Sequence, residues 1–399
     1  VAYERAAPLP PQLVRLPAAI GSVLAGDLLA KCDLPAADTS AMDGWAVCGP
    51  PPWTVIGRSL AGAGVGAGAG AGAGIGGEAV TVGPGQAVVI ATGAALPAGA
   101  TGIVRTEHGR LDQDGLELGP GSTSPPDLSD LRRRGHEART GDRLIPAGAV
   151  IRPTTVGLAA AAGYDELAVR PRPLVDLLVL GDELLEAGPP RNGAVRDALG
   201  VQLPAWVQAL GGEPGRSRRV PDDEAATLTA VRDGSAPVLI TTGGSAGGAA
   251  DHLRGTLERL GAQIVINTVD VRPGHPMLLA ELPDGRRLVG LPGNPLAALA
   301  GVITVLAPLL AGLSGAPRPG LADVVVDGDV ELRGGRRARG YLMVPVTRTG
   351  RGTVQPTGYS ASSMLRGVAL ADGFLLVPPD GLRAGDKAAV AWFPWTPAS

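Results

Sequence analysis

The stretch Val238 to Asp251, V-L-I-T-T-G-G-S-A-G-G-A-A-D, sets a short apolar run ahead of four glycines. Backbone N–H groups can approach an anion closely there, because glycine has no side chain to hold it off. Two further turns alternate proline and glycine, Val271-Arg272-Pro273-Gly274-His275-Pro276 and Leu291-Pro292-Gly293-Asn294-Pro295, and so fix their backbone rigidly. The second opens onto a long apolar segment whose helical N-terminus would favour an oxyanion. Two carboxylates, Asp182 and Glu183, follow the apolar run Leu174 to Leu180, and Asp222-Asp223 opens a later segment. Each feature alone is compatible with an ordinary turn. Together in one α/β region, where ligands bind at the carboxyl ends of strands, they favour a polyanionic ligand.

Other residues carry weaker signals. Asp43 interrupts the apolar run Ser40-Ala41-Met42-Asp43-Gly44-Trp45; it either caps a turn or faces a ligand, since an unpaired carboxylate would be costly there. Arg132-Arg133-Arg134 reads either as a phosphate holder or as a solvated charge run. Arg339 offers a forked cation, and the segment Gln355 to Ser363 offers hydroxyls.

Composition removes several function classes. A chain of 399 residues, 45% hydrophobic and 18% charged, can bury the cores of two to four domains. With 3% aromatic residues and a net charge of −3, it lacks the stacking platforms and basic field of a nucleic-acid binder. Cys32 and Cys48 have neither disulfide-scaffold density nor zinc-ligand spacing, and His108, His136, His252 and His275 are scattered. A cytoplasmic location is expected, with no signal-peptide pattern at the start. Leu296 to Leu313 carries no charge, but Gly301, Pro308 and the lack of basic or aromatic flanks predict a buried core helix rather than a membrane span.

The elements that must position these residues follow from periodicity. Leu13, Leu16, Ile20, Val23 and Leu24 fall near helical spacing and predict an N-terminal packing helix within Val1 to Leu34. The glycine- and alanine-rich insertion 61–77 reads as a flexible loop. Strands are expected at Ala87 to Ile90, Gly102 to Thr106 and Gly115 to Leu118, and an alanine-rich helix at Pro153 to Gly163. From Pro173, strand Leu174 to Leu180, helix Val201 to Leu210, a helix from Asp222-Asp223 to Gly234 and strand Val238 to Ile240 follow. A helix capped by Asp251 and strand Ile264 to Ile266 come next. This βαβ order predicts a parallel sheet covered by helices. The fold class is α/β multidomain: a mainly β two-lobed region at 1–172, a three-layer α/β/α domain at 173–317 and a small β domain at 318–399.

The motifs S-A-M-D-G-W-A-V at Ser40, I-A-T-G-A at Ile90, L-G-D-E-L at Leu180, T-T-G-G at Thr241, R-P-G-H-P at Arg272 and L-P-G-N-P at Leu291 resemble the MoeA family in order and spacing. That family of molybdopterin molybdenumtransferases includes the E domain of gephyrin, and the resemblance covers nearly the whole chain. It implies a central domain similar to MoaB and MogA, and an elongated homodimer of four-part subunits. The active site would lie between the α/β domain of one subunit and the C-terminal β domain of the other. The implied reaction inserts molybdate into adenylated molybdopterin and releases AMP with Mg2+. Contacts with a molybdopterin adenylyltransferase and molybdoenzymes are the implied partners, with no nucleic acid and no membrane.

The resemblance assigns catalysis to Asp43, Thr92, Glu183, Asp222 and Asp251, with Glu137 where the family usually has Asp, and metal binding to Glu183, Asp223 and Asp251. Substrate or oxyanion binding falls to Gly243, Gly244, Ser245, Arg272, His275, Pro276, Pro292, Gly293, Asn294, Pro295, Arg339, Ser362 and Ser363. Hard carboxylates near a strand end suit Mg2+, which retains waters and neutralises phosphate. The chain departs from the family pattern at Ala246 and Ala249, where a hydroxyl and an acid are usual, at His275, usually Lys, and at Leu199, usually Asn. These departures leave a second reading, a diverged non-catalytic paralogue that binds molybdopterin or a partner. A nucleotide-dependent enzyme of unrelated chemistry would need a Walker lysine or a G-x-G-x-x-G opening the first strand, and the chain has neither.

Overall fold

A computed structural model of the chain describes residues 1–59, 80–113, 115–120, 126–244, 252–330 and 340–396. The insertion 61–77 lies outside the described residues.

The expected N-terminal helix is replaced by strands at Gln12–Arg15, Val23–Leu24 and Leu28–Leu29, with a 3-10 turn at Leu16–Ala19. Gln12–Arg15 and Val23–Leu24 both pair antiparallel with Glu166–Arg170. Prolines 8, 10, 11 and 17 and glycines 21 and 26 deny the segment a continuous helix. The helical spacing misleads because Leu13 and Ile20 are 69% and 44% exposed. Leu24, Leu28, Ile151, Leu167 and Val169 make the core of this lobe instead. The expected helix forms at Pro153–Ala161. The second lobe is a sheet in the order Thr54–Ser59, Gln86–Ile90, Gly44–Val47, Gly102–Arg105, with a hairpin of Gly109–Asp112 and Gly115–Leu118 beside it.

In the central domain the strands are β1 (Leu174–Leu180), β2 (Glu213–Val220), β3 (Val238–Thr242), β4 (Gln263–Ile266), β5 (Leu278–Glu281) and β6 (Arg287–Leu291). They form one sheet ordered β2-β1-β3-β6-β5-β4. The first four are parallel, but β5 runs antiparallel to both β6 and β4, which corrects the parallel expectation to a mixed sheet. The connection from β5 to β6 is too short for a crossover, and only an antiparallel hairpin closes over it. Helix α1 (Leu203–Ala209) and the long helix α4 (Pro295–Ser314) share a core with one face of the sheet. Helices α2 (Glu224–Arg232) and α3 (Leu253–Arg259) pack on the other face.

Three details explain otherwise odd residues. Asp176, an acid inside the apolar β1, is 4% exposed and accepts the Arg216 N–H at 2.7 Å. The register between β1 and β2 shifts at that point, so the carboxylate satisfies a donor that the irregularity would strand. Helix α4 has its apolar window 83% buried, which fits the expected core helix and not a lipid-facing span. Gly301 lets it approach the sheet, since a Cβ there would lie 2.7 Å from Leu291 Cδ2.

The C-terminal strands β7 (Ala322–Val326), β8 (Tyr341–Gly350), β9 (Thr353–Pro356), β10 (Gly373–Val377) and β11 (Lys387–Trp392) close into a barrel, because β10 pairs with both β11 and β8. The barrel docks on the α/β domain of its own chain. Val271 and Arg272 add to its sheet as partners of Tyr341 and Leu342. Trp206 of α1 also meets Phe393 edge-on at 5.2 Å and Trp395 at 4.4 Å.

Candidate functional site

Because β2, β1, β3 and β6 are parallel neighbours, their carboxyl ends lie along one edge of the sheet. Asp222 and Asp223, the 181–183 turn, Gly243 and Gly244, and the 292–295 turn follow those four strands in that order. The chain winds from β1 outward to β2, then returns across β1 to β3, so the winding reverses between β1 and β3. A crevice at such a switch point is where open α/β sheets bind ligands. The glycine loop and the 292–295 turn abut. Gly243 N–H donates to Leu291 O at 2.9 Å, and a Cβ on Gly293 would lie 3.7 Å from Gly243 Cα.

On the acidic side, Gly181 has φ +129°, and a Cβ there would lie 2.6 Å from Glu183 Oε2, so the carboxylate folds back over the strand end. Glu183 is exposed, and its carboxylate has no hydrogen-bond or ion-pair partner among the described residues. Asp222 Oδ2 accepts the Asp182 N–H at 3.3 Å. Asp223 is the N-cap of α2, accepting the Ala226 N–H at 2.7 Å, so one of its oxygens is committed to the helix. No group of three His, Cys, Asp or Glu side chains assembles as a metal site among the described residues. Ser245, Ala246, Ala249, Asp251 and Arg339 lie outside them, and the first described residue of the helix entry is His252. Two exposed carboxylates on adjacent strand ends, Glu183 and Asp222, fit Mg2+, which uses one or two protein carboxylates and keeps several waters.

On the other side, the structure corrects the expected anion cradle at the start of α4. Leu296 and Ala297 N–H groups donate to Ser362 O at 2.9 and 3.3 Å, Ala298 N–H donates to Asn294 O at 2.9 Å, and Pro295 has no N–H. The first-turn donors are therefore taken, two of them by the C-terminal domain. A Cβ on Gly274 would lie 2.9 Å from Ala297 O, so the 272–276 loop is pressed against the same turn. The 272–276 loop, the 292–295 turn and Ser362 thus meet around the first turn of α4. Positive charge for an anion must come from side chains such as the exposed Arg272. His275 Nδ1 is 2.9 Å from Val269 O. With Nδ1 as the donor, Nε2 can donate to an anion only when the ring is protonated.

The N-terminal candidates lie on loops of the N-terminal lobes. Asp43 Oδ1 accepts the Thr92 backbone N–H at 2.6 Å, which is the capping alternative. That bond, with a second from the Thr92 side chain, holds the Asp43 carboxyl below its ordinary range. Glu137 is exposed, and among the described residues no hydrogen bond joins Asp43, Thr92 or Glu137 to the sheet edge. Arg134 of the arginine run is structural: its Nε lies 2.5 Å from Asp33 Oδ2. Asp33 also accepts the Thr140 backbone N–H, and with Arg134 this lowers its pKa to about 2. Leu199 is 4% exposed in the domain core, and Asp197 accepts the amides of Leu199 and Gly200 at 3.0 and 2.8 Å. Sequence reasoning assigns Asp197 and Arg219 no role. Arg219 is visible only as part of an arginine-rich strand, which carries no signal by itself.

Comparison with known proteins identifies the family. Residues 2–163 match the MoeA N-terminal region (domain I and II), 176–312 a probable molybdopterin binding domain, and 329–393 the MoeA C-terminal region (domain IV). Molybdopterin molybdenumtransferase of Synechococcus elongatus is 33% identical over 304 residues, 72% of each chain. Molybdopterin molybdenumtransferase 2 of Mycobacterium tuberculosis is 31% identical over 382 residues, 93% of this chain and 91% of the relative. A solved MoeA structure from Pyrococcus horikoshii shares the fold at a TM-score of 0.74 and 21% identity, over 98% of this chain and 97% of that one. The chain belongs to the MoeA family of molybdopterin molybdenumtransferases, proteins of molybdenum cofactor biosynthesis.

Proposed function

We propose that this protein inserts molybdate into adenylated molybdopterin and releases AMP, with Mg2+ held by Glu183 and Asp222. The observation that carries the reading is the single sheet edge on which the acidic turn, the glycine loop and the 292–295 turn flank the switch-point crevice. Mg2+ bound there would neutralise charge on the phosphoanhydride. The protein's own residues would bind and orient: Gly243 and Gly244 admit a close approach of the ligand to the backbone, and Arg272 supplies a fixed cation for the oxyanion. Asp43, Thr92 and Glu137 would join the site from a second copy in a homodimer, since among the described residues of one chain no hydrogen bond joins their loops to the sheet edge. A cytoplasmic location and contact with the adenylyltransferase that supplies the substrate complete the reading.

The occupied first turn of α4 and the Nδ1 bond of His275 favour one alternative, a protein that binds molybdopterin without turnover. AMP release from adenylated molybdopterin with Mg2+, titrated with molybdate and with tungstate, separates the two. Oxyanion-dependent release is the expected result. Substrate binding with no AMP from either anion would overturn the catalytic reading.

A further inference from the structure

Glu183 is gripped through the backbone on both of its sides. Before it, the Asp222 carboxylate accepts the Asp182 N–H at 3.3 Å. After it, Arg219 Nη2 donates to the Leu184 carbonyl at 2.5 Å, and Arg219 Nε lies 3.5 Å from Glu186 Oε1. Both gripping side chains come from one place, the carboxyl end of β2 and the residues just beyond it. Arg196 Nη1 adds a bond to Leu185 O at 3.1 Å, and Val195 N–H donates to Glu183 O at 2.9 Å. The Glu183 carboxylate makes no such bond among the described residues and stays available.

Arginines on an edge strand such as β2 ordinarily keep that edge from pairing with other chains. Arg219 does something more specific, since its guanidinium reaches across to the carbonyl of a neighbouring turn. We infer that Arg219 is a positioning residue, fixing the 181–186 turn so that Glu183 points into the switch-point crevice. It acts through the turn's backbone and does not touch the ligand. The inference rests on the reading in which Glu183 holds a divalent cation. A guanidinium suits the task because its planar fork offers separate N–H groups to a carbonyl and to a carboxylate. An ammonium would supply charge without that geometry.

The test uses the full chain, Mn2+ as a paramagnetic probe of the divalent site, and amide hydrogen exchange across residues 181–186. Arg219→Met should speed exchange in this segment and weaken Mn2+ binding roughly three- to tenfold, the scale of one lost hydrogen bond. Its melting temperature should move little. Glu186→Gln removes the exposed ion pair but leaves the carbonyl bond, and should behave as wild type. If Glu183→Gln loses Mn2+ binding while Arg219→Met binds and exchanges as wild type, the positioning role is wrong and the cation reading stands. If Glu183→Gln binds Mn2+ as wild type, the cation reading falls and Arg219 loses its role with it. Should Arg219→Met fail to fold, Arg219→Gln carries the same comparison, since it stays polar but its amide nitrogen stops two bonds short of the Nη2 that meets the Leu184 carbonyl.

Discussion

At residue 275 an imidazole stands where the family pattern has an ammonium. Its Nδ1 is committed to Val269 O, so only a protonated ring can offer an N–H to an oxyanion from Nε2. His275→Lys should therefore tighten oxyanion binding by about 1 to 3 kcal/mol, the worth of a charge-assisted hydrogen bond. The half-saturating molybdate concentration in AMP release reads this directly. Equal half-saturation in the two proteins would mean that position 275 does not face the anion. Leu199 is a different kind of departure. It is built into the core beside Leu203 and Trp206, so its side chain is spent on packing.

At the scale of elements, α4 is the member whose fit matters most, because it carries the 292–295 turn and meets the barrel loop at its first residues. Its closeness to the sheet depends on Gly301, where a Cβ would already lie 2.7 Å from the buried Leu291 Cδ2. Gly301→Val should cost about 1 to 3 kcal/mol by overpacking. At Gly255, inside α3, an added Cβ would meet nothing within 4 Å, and the same physics predicts the opposite sign there. Gly255→Ala should stabilise by up to about 1 kcal/mol through helix propensity and a less flexible unfolded chain. Chemical denaturation of both variants checks the pair. A destabilised Gly255→Ala would show that α3 is packed more tightly than its contacts indicate.

Across the whole molecule, acid sensitivity should have a definite source in the N-terminal lobes. Asp33, held by the Thr140 amide and then by Arg134, has its pKa lowered from 3.8 to about 2, and Asp43 is shifted the same way by Thr92. A carboxylate whose folded pKa is depressed contributes stability above its unfolded pKa and loses it as pH falls through the folded one. The melting-temperature gap between wild type and Asp33→Asn should thus be full above pH 3.8 and close as pH falls toward about 2. A gap that persists at the acid end would assign the effect to lost geometry rather than to charge. The sequence by itself determined the α/β texture of the centre, the core nature of α4, three strands of the second lobe, the β character of the C-terminal domain, and the motif loops at strand ends. Those follow from local hydrophobic period and turn chemistry. Tertiary structure decided the rest. The N-terminal strands exist because Glu166–Arg170 pairs with them. The start of α4 is closed because Ser362 reaches it, Asp176 is tolerated because Arg216 meets it, and Glu183 is held because Arg219 crosses from the next strand. In each case the deciding partner is a backbone or side-chain group brought in from a distant segment, and local spacing holds no record of which distant group will close on it.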